Sequence, residues 1–190
     1  MNDSSSSAPM QRFAPELLLA AQGMRVAFFD VDGVLTDGGV YFSEEGETLK
    51  RFSILDGYGL QLIKRAGIVP AVITGRDSKP LRVRLEALGV EHVRYGISNK
   101  LPAAEAMLQS LGLDWSQAAA MGDDWPDLPV LRRVGLAVAP ANAHVEVRAA
   151  ARYVTTAKGG EGAARECCDL LLMAGGHYRR LLDDLHGGAA

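Results

Sequence analysis

The sequence predicts an α/β protein in which one parallel sheet is covered by helices on both faces and a β-hairpin projects from it. Short apolar runs, among them Val26–Phe29, Ile68–Ile73 and Ala118–Met121, alternate with stretches of helical periodicity. Gly67, Gly89 and Gly112 close three of those stretches. Strand and helix units repeated at this length argue for parallel strands joined by crossover helices. A chain of 190 residues, 48% apolar and 23% charged, is enough for one well-buried domain and short for two.

Met1–Gln11 is rich in serine and reads as a disordered leader, with a short helix over Pro15–Ala21, so that residues 1–24 precede the core. Val26–Asp30 is a buried central strand ending in an acid. From Gly38 to Phe52, β-branched and aromatic residues flank a turn near Glu45-Gly46, which predicts the hairpin. A helix over Asp56–Ala66 precedes the strand Ile68–Ile73, with Thr74 and Gly75 at its end. Helix Ser78–Leu88, strand Val90–Tyr95, helix Lys100–Leu111 and strand Ala118–Met121 follow. Leu128–Val134, Gly135–Val138, Ala143–Ala150 and Tyr153–Thr155 continue the alternation. Ala157–Gly162 reads as a flexible joint before a helix over Ala163–Ala174, and the core is expected to close near residue 175. Residues 176–190 form a tail, with a helix-like segment at His177–Leu185 and a frayed end at Gly187–Ala190. Truncation after Thr156 is expected to alter mainly substrate handling.

The formal charge of −3, with no basic stripe, argues against a nucleic-acid partner. No apolar segment approaches the length of a membrane span, and none has the form of a signal peptide. Cys167 and Cys168 are adjacent, which suits neither a disulfide framework nor a zinc site and fits a reducing, cytoplasmic setting.

The chemistry gathers at strand ends, where open parallel sheets bind ligands. Asp30 and Asp32 end the first strand, and Asp123, Asp124 and Asp127 crowd the turn after Ala118–Met121. In one pocket these carboxylates need a hard cation, and oxygen ligands suit Mg²⁺. Asp30 would attack a phosphorus centre, while Asp32 would protonate the leaving alcohol and then deprotonate water. Thr74, Gly75 and Lys100 supply donors for phosphoryl oxygens, and Arg76 and Arg165 offer guanidinium forks for a substrate oxyanion. Taken singly, the acids are also helix caps, Thr74 a turn residue, and Lys100, Arg76 and Arg165 surface cations.

Taken in order, Asp30-Val31-Asp32-Gly33-Val34, Thr74-Gly75-Arg76, Lys100 and Gly122-Asp123-Asp124-x-x-Asp127 resemble the four motifs of haloacid-dehalogenase-like phosphohydrolases. Asp56-Gly57-x-Gly59, Ser98-Asn99-Lys100 and Gly159-Gly160-x-Gly162-Ala163-Ala164-Arg165-Glu166 narrow the resemblance to the 3-deoxy-D-manno-octulosonate 8-phosphate phosphatase family, from about Arg25 to Gly175. The resemblance implies a three-layer Rossmann-like core without a large cap domain. It also implies Asp30 as nucleophile and Mg²⁺ ligand, Asp32 as general acid and base with its backbone carbonyl on the metal, and Asp123 as a direct ligand. Asp124 and Asp127 would support the metal site and Lys100. It implies a small phosphorylated sugar acid as substrate and a homotetramer, with hairpins meeting centrally and a neighbour's tail closing each pocket. Leu55 and Ile97 stand where family members carry basic and polar residues, which leaves a nine-carbon sialic-type 9-phosphate as alternative substrate. A phosphoacceptor signalling domain would share Asp30, Thr74 and Lys100, but Asp32 would shorten the life of its acyl phosphate.

Overall fold

The computed structural model describes residues 13–187; the leader expected at Met1–Gln11 and the chain end at 188–190 lie outside the described residues. The strands are β1 (Val26–Phe29), β2 (Tyr41–Ser43), β3 (Gly46–Leu49), β4 (Val69–Ile73), β5 (His92–Arg94), β6 (Ala118–Met121), β7 (Leu136–Ala139) and β8 (Tyr153–Val154). The helices are α1 (Pro15–Ala20), α2 (Ile54–Arg65), α3 (Lys79–Ala87), α4 (Lys100–Leu111), α5 (Leu128–Leu131), α6 (Val145–Ala150), α7 (Ala163–Ala174) and α8 (Tyr178–Gly187). Six strands form one sheet in the order β5-β4-β1-β6-β7-β8, every neighbouring pair parallel, while β2 and β3 form the separate antiparallel hairpin. Among the described residues no helix is long and apolar enough to cross a membrane.

Alternate residues of the central strands point to opposite layers. Ala27, Phe29, Val72 and Met121 pack with Leu60 and Ile63 of α2, Leu81 and Leu85 of α3, and Leu170–Leu172 of α7. Val26, Phe28, Ile73 and Ala120 pack with Met107 and Leu108 of α4, Val130 and Leu131 of α5, and Val147 of α6. Both faces of β1, β4 and β6 are therefore buried, which is why these strands read as continuous apolar runs.

Three local expectations are corrected by particular contacts. α2 starts two residues earlier than expected, because the Ser53 side chain caps it by accepting from the Asp56 amide. α5 ends at Leu131, since Gly135 turns back to donate to the Trp115 carbonyl at 2.8 Å. Ala157–Gly162 is no free joint: Gly160 donates to the Val34 carbonyl at 2.9 Å and Gly159 to Asn142 Oδ1 at 2.9 Å. A Cβ on Gly159 would lie 1.8 Å from the Gly33 carbonyl oxygen, so the loop packs against the segment after β1 at a distance only glycine permits.

The truncation expectation changes with it. Leu170, Leu171 and Leu172 are each no more than 1% exposed, and each contributes roughly 1.5–3 kcal/mol by burial. Removal of everything after Thr156 strips this layer from the sheet, so loss of the fold is the expected result. Gly187, expected to be frayed, is the last residue of α8.

Candidate active site

The strand order places most of the predicted residues together. β1 lies between β4 and β6, so the segments beginning at Asp30, Thr74 and Gly122 leave the sheet side by side at its carboxyl edge. The Asp30 amide continues the ladder to the Met121 carbonyl at 3.0 Å, and the Thr74 amide continues it to the Arg94 carbonyl at 3.0 Å. Lys100 enters from the far side as the first residue of α4, after the Ile97 amide ties that loop to the Thr74 carbonyl at 2.9 Å. The resulting open cavity of about 470 Å³ is lined by Asp30, Asp32, Gly75, Arg76, Lys100, Asp123, Asp124 and Asp127, with Ile97, Ser98, Gly38 and Pro126 around them.

Lys100 is buried, and its Nζ lies 2.7 Å from Asp30 Oδ1 and 2.7 Å from Asp127 Oδ1. Burial works against the ammonium, but the two carboxylates more than offset it and hold Lys100 above its usual pKa. Asp127 is fully committed, because its Oδ2 accepts from the Asp123 amide at 3.0 Å and the Asp124 amide at 3.3 Å. Asp124 is exposed and caps the short 3-10 turn Trp125–Asp127, accepting from the Trp125 amide at 2.8 Å. Both acids cap a turn and also face the cavity. Thr74 is buried, and its hydroxyl oxygen accepts from the Arg76 amide at 3.3 Å, which leaves the hydroxyl hydrogen to donate.

Oxygens of Asp30, Asp123 and Asp127 come within 4.8 Å of one another. Burial, followed by repulsion from Asp127, pushes Asp30 up to about 6 despite Lys100. Burial, followed by repulsion from Asp30 and Asp127, pushes Asp123 up to about 8. One ammonium thus falls short of balancing three carboxylates, and the all-oxygen donor set fits a hard divalent cation. With both Asp127 oxygens engaged, Asp123 and Asp30, which shares only its Oδ1 with Lys100, are the side chains left to ligate. Gly33 lets them approach: it has a φ of +87°, and a Cβ there would lie 2.0 Å from Asp123 Oδ2.

The Asp32 carboxylate turns away from this cluster to Lys50, and sequence reasoning missed that partner. Lys50 and Glu47 carry no motif; only their place on the hairpin could have drawn notice. His144 was also assigned no role, yet its amide donates to the Asp123 carbonyl at 2.8 Å and its Nδ1 accepts from Trp125 Nε1 at 3.0 Å. Arg165 is not brought to the cavity of its own chain. Its Nε donates to Asp169 Oδ1 at 2.8 Å, one helical turn on, and its guanidinium lies 5.7 Å from the Tyr58 ring centre. Leu55 is exposed at the start of α2, whereas Ile97 lines the cavity.

Residues 90–166 match a family model described as haloacid dehalogenase-like hydrolase. A 3-deoxy-D-manno-octulosonate 8-phosphate phosphatase of Salmonella typhimurium is 44% identical over 86% of this chain and 87% of its own. The protein of that name from Escherichia coli K12 is 44% identical over 85% and 86%. A crystal structure of the Yersinia pestis phosphatase superposes with a TM-score of 0.86 at 42% identity, covering 88% of this chain and 90% of that one. The Moraxella catarrhalis phosphatase, solved with magnesium ion, phosphate ion and KDO, gives a TM-score of 0.88 at 36% identity, covering 91% and 99%. With the strand order, the carboxylate cluster and the likeness over most of the chain in agreement, the chain belongs to the 3-deoxy-D-manno-octulosonate 8-phosphate phosphatase family of haloacid dehalogenase-like hydrolases.

Proposed function

We propose that this chain hydrolyses 3-deoxy-D-manno-octulosonate 8-phosphate through an aspartyl phosphate on Asp30, with Mg²⁺ as its cation. The observation that carries the reading is the position of Asp30, at the floor of the open cavity, 2.7 Å from Lys100 and beside Asp123. Asp30 attacks phosphorus as the bond to the sugar oxygen breaks, and Asp32 gives that oxygen a proton. Asp32 then takes a proton from the water that attacks the acyl phosphate, releasing inorganic phosphate and restoring Asp30. Thr74, the backbone at Gly75 and Lys100 hold the phosphoryl oxygens. Asp30, Asp123 and the Asp32 carbonyl would hold Mg²⁺, which when bound neutralises phosphoryl and carboxylate charge, with Asp124 and Asp127 in support.

Arg76, half exposed on the cavity wall, is assigned the substrate carboxylate. Arg165, engaged within α7, would reach a substrate only across a subunit boundary. The homotetramer is part of the reading, because Tyr41, Phe42 and Leu49 expose an apolar hairpin surface with no covering in one chain. A cytoplasmic setting fits the free thiols of Cys167 and Cys168.

The test is phosphate release with Mg²⁺ from a panel of sugar phosphates. Preference for the eight-carbon acid 8-phosphate is expected. Preference for a nine-carbon acid 9-phosphate, which Ile97 in the cavity wall would have to explain, keeps the chemistry and rejects the substrate.

A further inference from the structure

The Lys50 side chain is 1% exposed, and its place in the reaction is so far unassigned. A buried ammonium costs several kcal/mol unless negative partners surround it. Its partners are Asp32 Oδ1 and, at 3.0 Å, Glu47 Oε1. The remaining carboxylate oxygens face a second cation: Arg76 Nε lies 3.6 Å from Asp32 Oδ2, and Arg76 Nη1 lies 3.7 Å from Glu47 Oε2. The four charges form a closed ring of alternating sign. It joins the segment after β1, the β3 end of the hairpin and the segment after β4.

The two cations are not equivalent. Lys50 is buried and in close contact, whereas Arg76 is 48% exposed, loosely placed and on the cavity wall. An anionic substrate group can draw Arg76 from the ring, while Lys50 is shielded from it and stays on Asp32. We propose that Lys50 is a positioning residue: anchored by Glu47, it holds Asp32 Oδ1 and so directs Oδ2 at the oxygen of the leaving alcohol. The hairpin thereby sets the aim of the proton donor. This rests on the reading of Asp32 as general acid and base.

The test uses the full-length chain with Mg²⁺ and two substrates. One is 3-deoxy-D-manno-octulosonate 8-phosphate, whose alkoxide needs a proton; the other is 4-nitrophenyl phosphate, whose phenolate leaves without one. Lys50→Met should lower kcat on the sugar phosphate about 100-fold with KM changed no more than about threefold, the size of effect proton transfer carries. On the aryl phosphate the same variant should keep a burst of one 4-nitrophenolate per site at the wild-type rate, followed by slow turnover, because only the second step then needs Asp32. Lys50→Arg should recover at least about tenfold over Lys50→Met, since it restores the charge. Glu47→Gln, which keeps the ammonium but loosens its anchor, should show the same kcat pattern about tenfold more weakly, and it serves if Lys50→Met fails to fold.

Loss of the burst together with a raised KM would mean that Lys50 merely supports the pocket, and would overturn the proposal. So would unchanged kcat in Lys50→Met, or in Glu47→Gln if that variant alone folds. A wild-type chain inactive on both phosphates would instead overturn the phosphatase reading on which the proposal stands.

Discussion

Asp30 carries the sharpest single-residue prediction. Asp30→Asn removes the nucleophile while keeping the side-chain shape, so phosphate release should fall by at least about 10³-fold and acid-quenched enzyme should hold no acyl phosphate. Persistence of a labelled acyl phosphate in that variant would remove Asp30 from the role. The raised pKa values of Asp30 and Asp123 give a second prediction. Burial, with repulsion from Asp127 on Asp30 and from Asp30 and Asp127 on Asp123, holds protons on these acids to about 6 and about 8, and a cation binds only the deprotonated forms. Mg²⁺ affinity should therefore rise with pH through the neutral range, by up to about tenfold per unit per proton displaced, and level off above about pH 9. Calorimetry in buffers of different ionisation enthalpy would report the released proton; uptake, or an affinity independent of pH, refutes the assignment. At this scale the sequence was legible where a residue ends an apolar run, as at Asp30, Thr74 and Asp123. Lys50 was not legible, because it meets Asp32 only through the fold of the hairpin. Arg165 showed a readable local partner in Asp169, four residues on in α7.

At the scale of elements, every expected strand and helix within the described residues is present; Lys100–Leu111, Ala118–Met121 and Ala163–Ala174 keep their expected bounds, and other boundaries move by one to several residues. The boundaries were hidden because caps and returning loops set them: Ser53 for α2, and the Gly135 amide for α5. The larger misreading concerned Ala157–Gly162, where glycine density suggested freedom. Here glycine serves close packing against the Asp30–Thr36 segment, and the helix that follows is anchored by two acids. Asp56, at the start of α2, accepts from the Gly162 amide at 3.2 Å and the Arg165 amide at 2.8 Å. Glu166, 5% exposed, accepts from the Tyr153 hydroxyl, from the Thr156 amide at 2.9 Å and hydroxyl at 2.8 Å, and from the Ala157 amide at 3.1 Å. Burial alone would raise the Glu166 pKa, but these donors outweigh it and the net shift is downward. The unfolded state then takes up protons first as pH falls. The stability from Glu166 is present above the ordinary glutamate value of 4.5 and is lost as pH drops through the lower folded value. Glu166→Gln turns an amide donor toward other donors and should cost about 1–3 kcal/mol at neutral pH. The gap between wild type and variant should narrow in thermal melts below about pH 4; a gap that widens there would contradict the network.

For the whole molecule, the hairpin links the chemistry of the site to the proposed assembly. It sends Lys50 to Asp32 and Glu47 to Lys50, while Tyr41, Phe42 and Leu49 are 49%, 70% and 67% exposed. Tyr41 and Leu49 are paired across the strands and Phe42 is next to Tyr41 in β2, so the exposed apolar side chains are grouped in one short strip of the hairpin. Ile54 and Leu55 at the start of α2 are exposed as well. A two-stranded hairpin is marginal by itself, and burial of this strip among four copies would stiffen it. If the Lys50 ring transmits that stiffness to Asp32, assembly should act on kcat as well as on stability. Phe42→Glu places a charge in the strip and should shift the protein from the proposed tetramer to smaller species in sedimentation velocity. It should also lower kcat/KM on the sugar phosphate by about tenfold or more, since a mobile hairpin no longer aims Asp32. The effect should depend on protein concentration in the wild type too, with specific activity falling as dilution dissociates the assembly. A Phe42→Glu monomer with full activity on the sugar phosphate would separate assembly from catalysis and leave the hairpin's hold on Asp32 a property of the single chain.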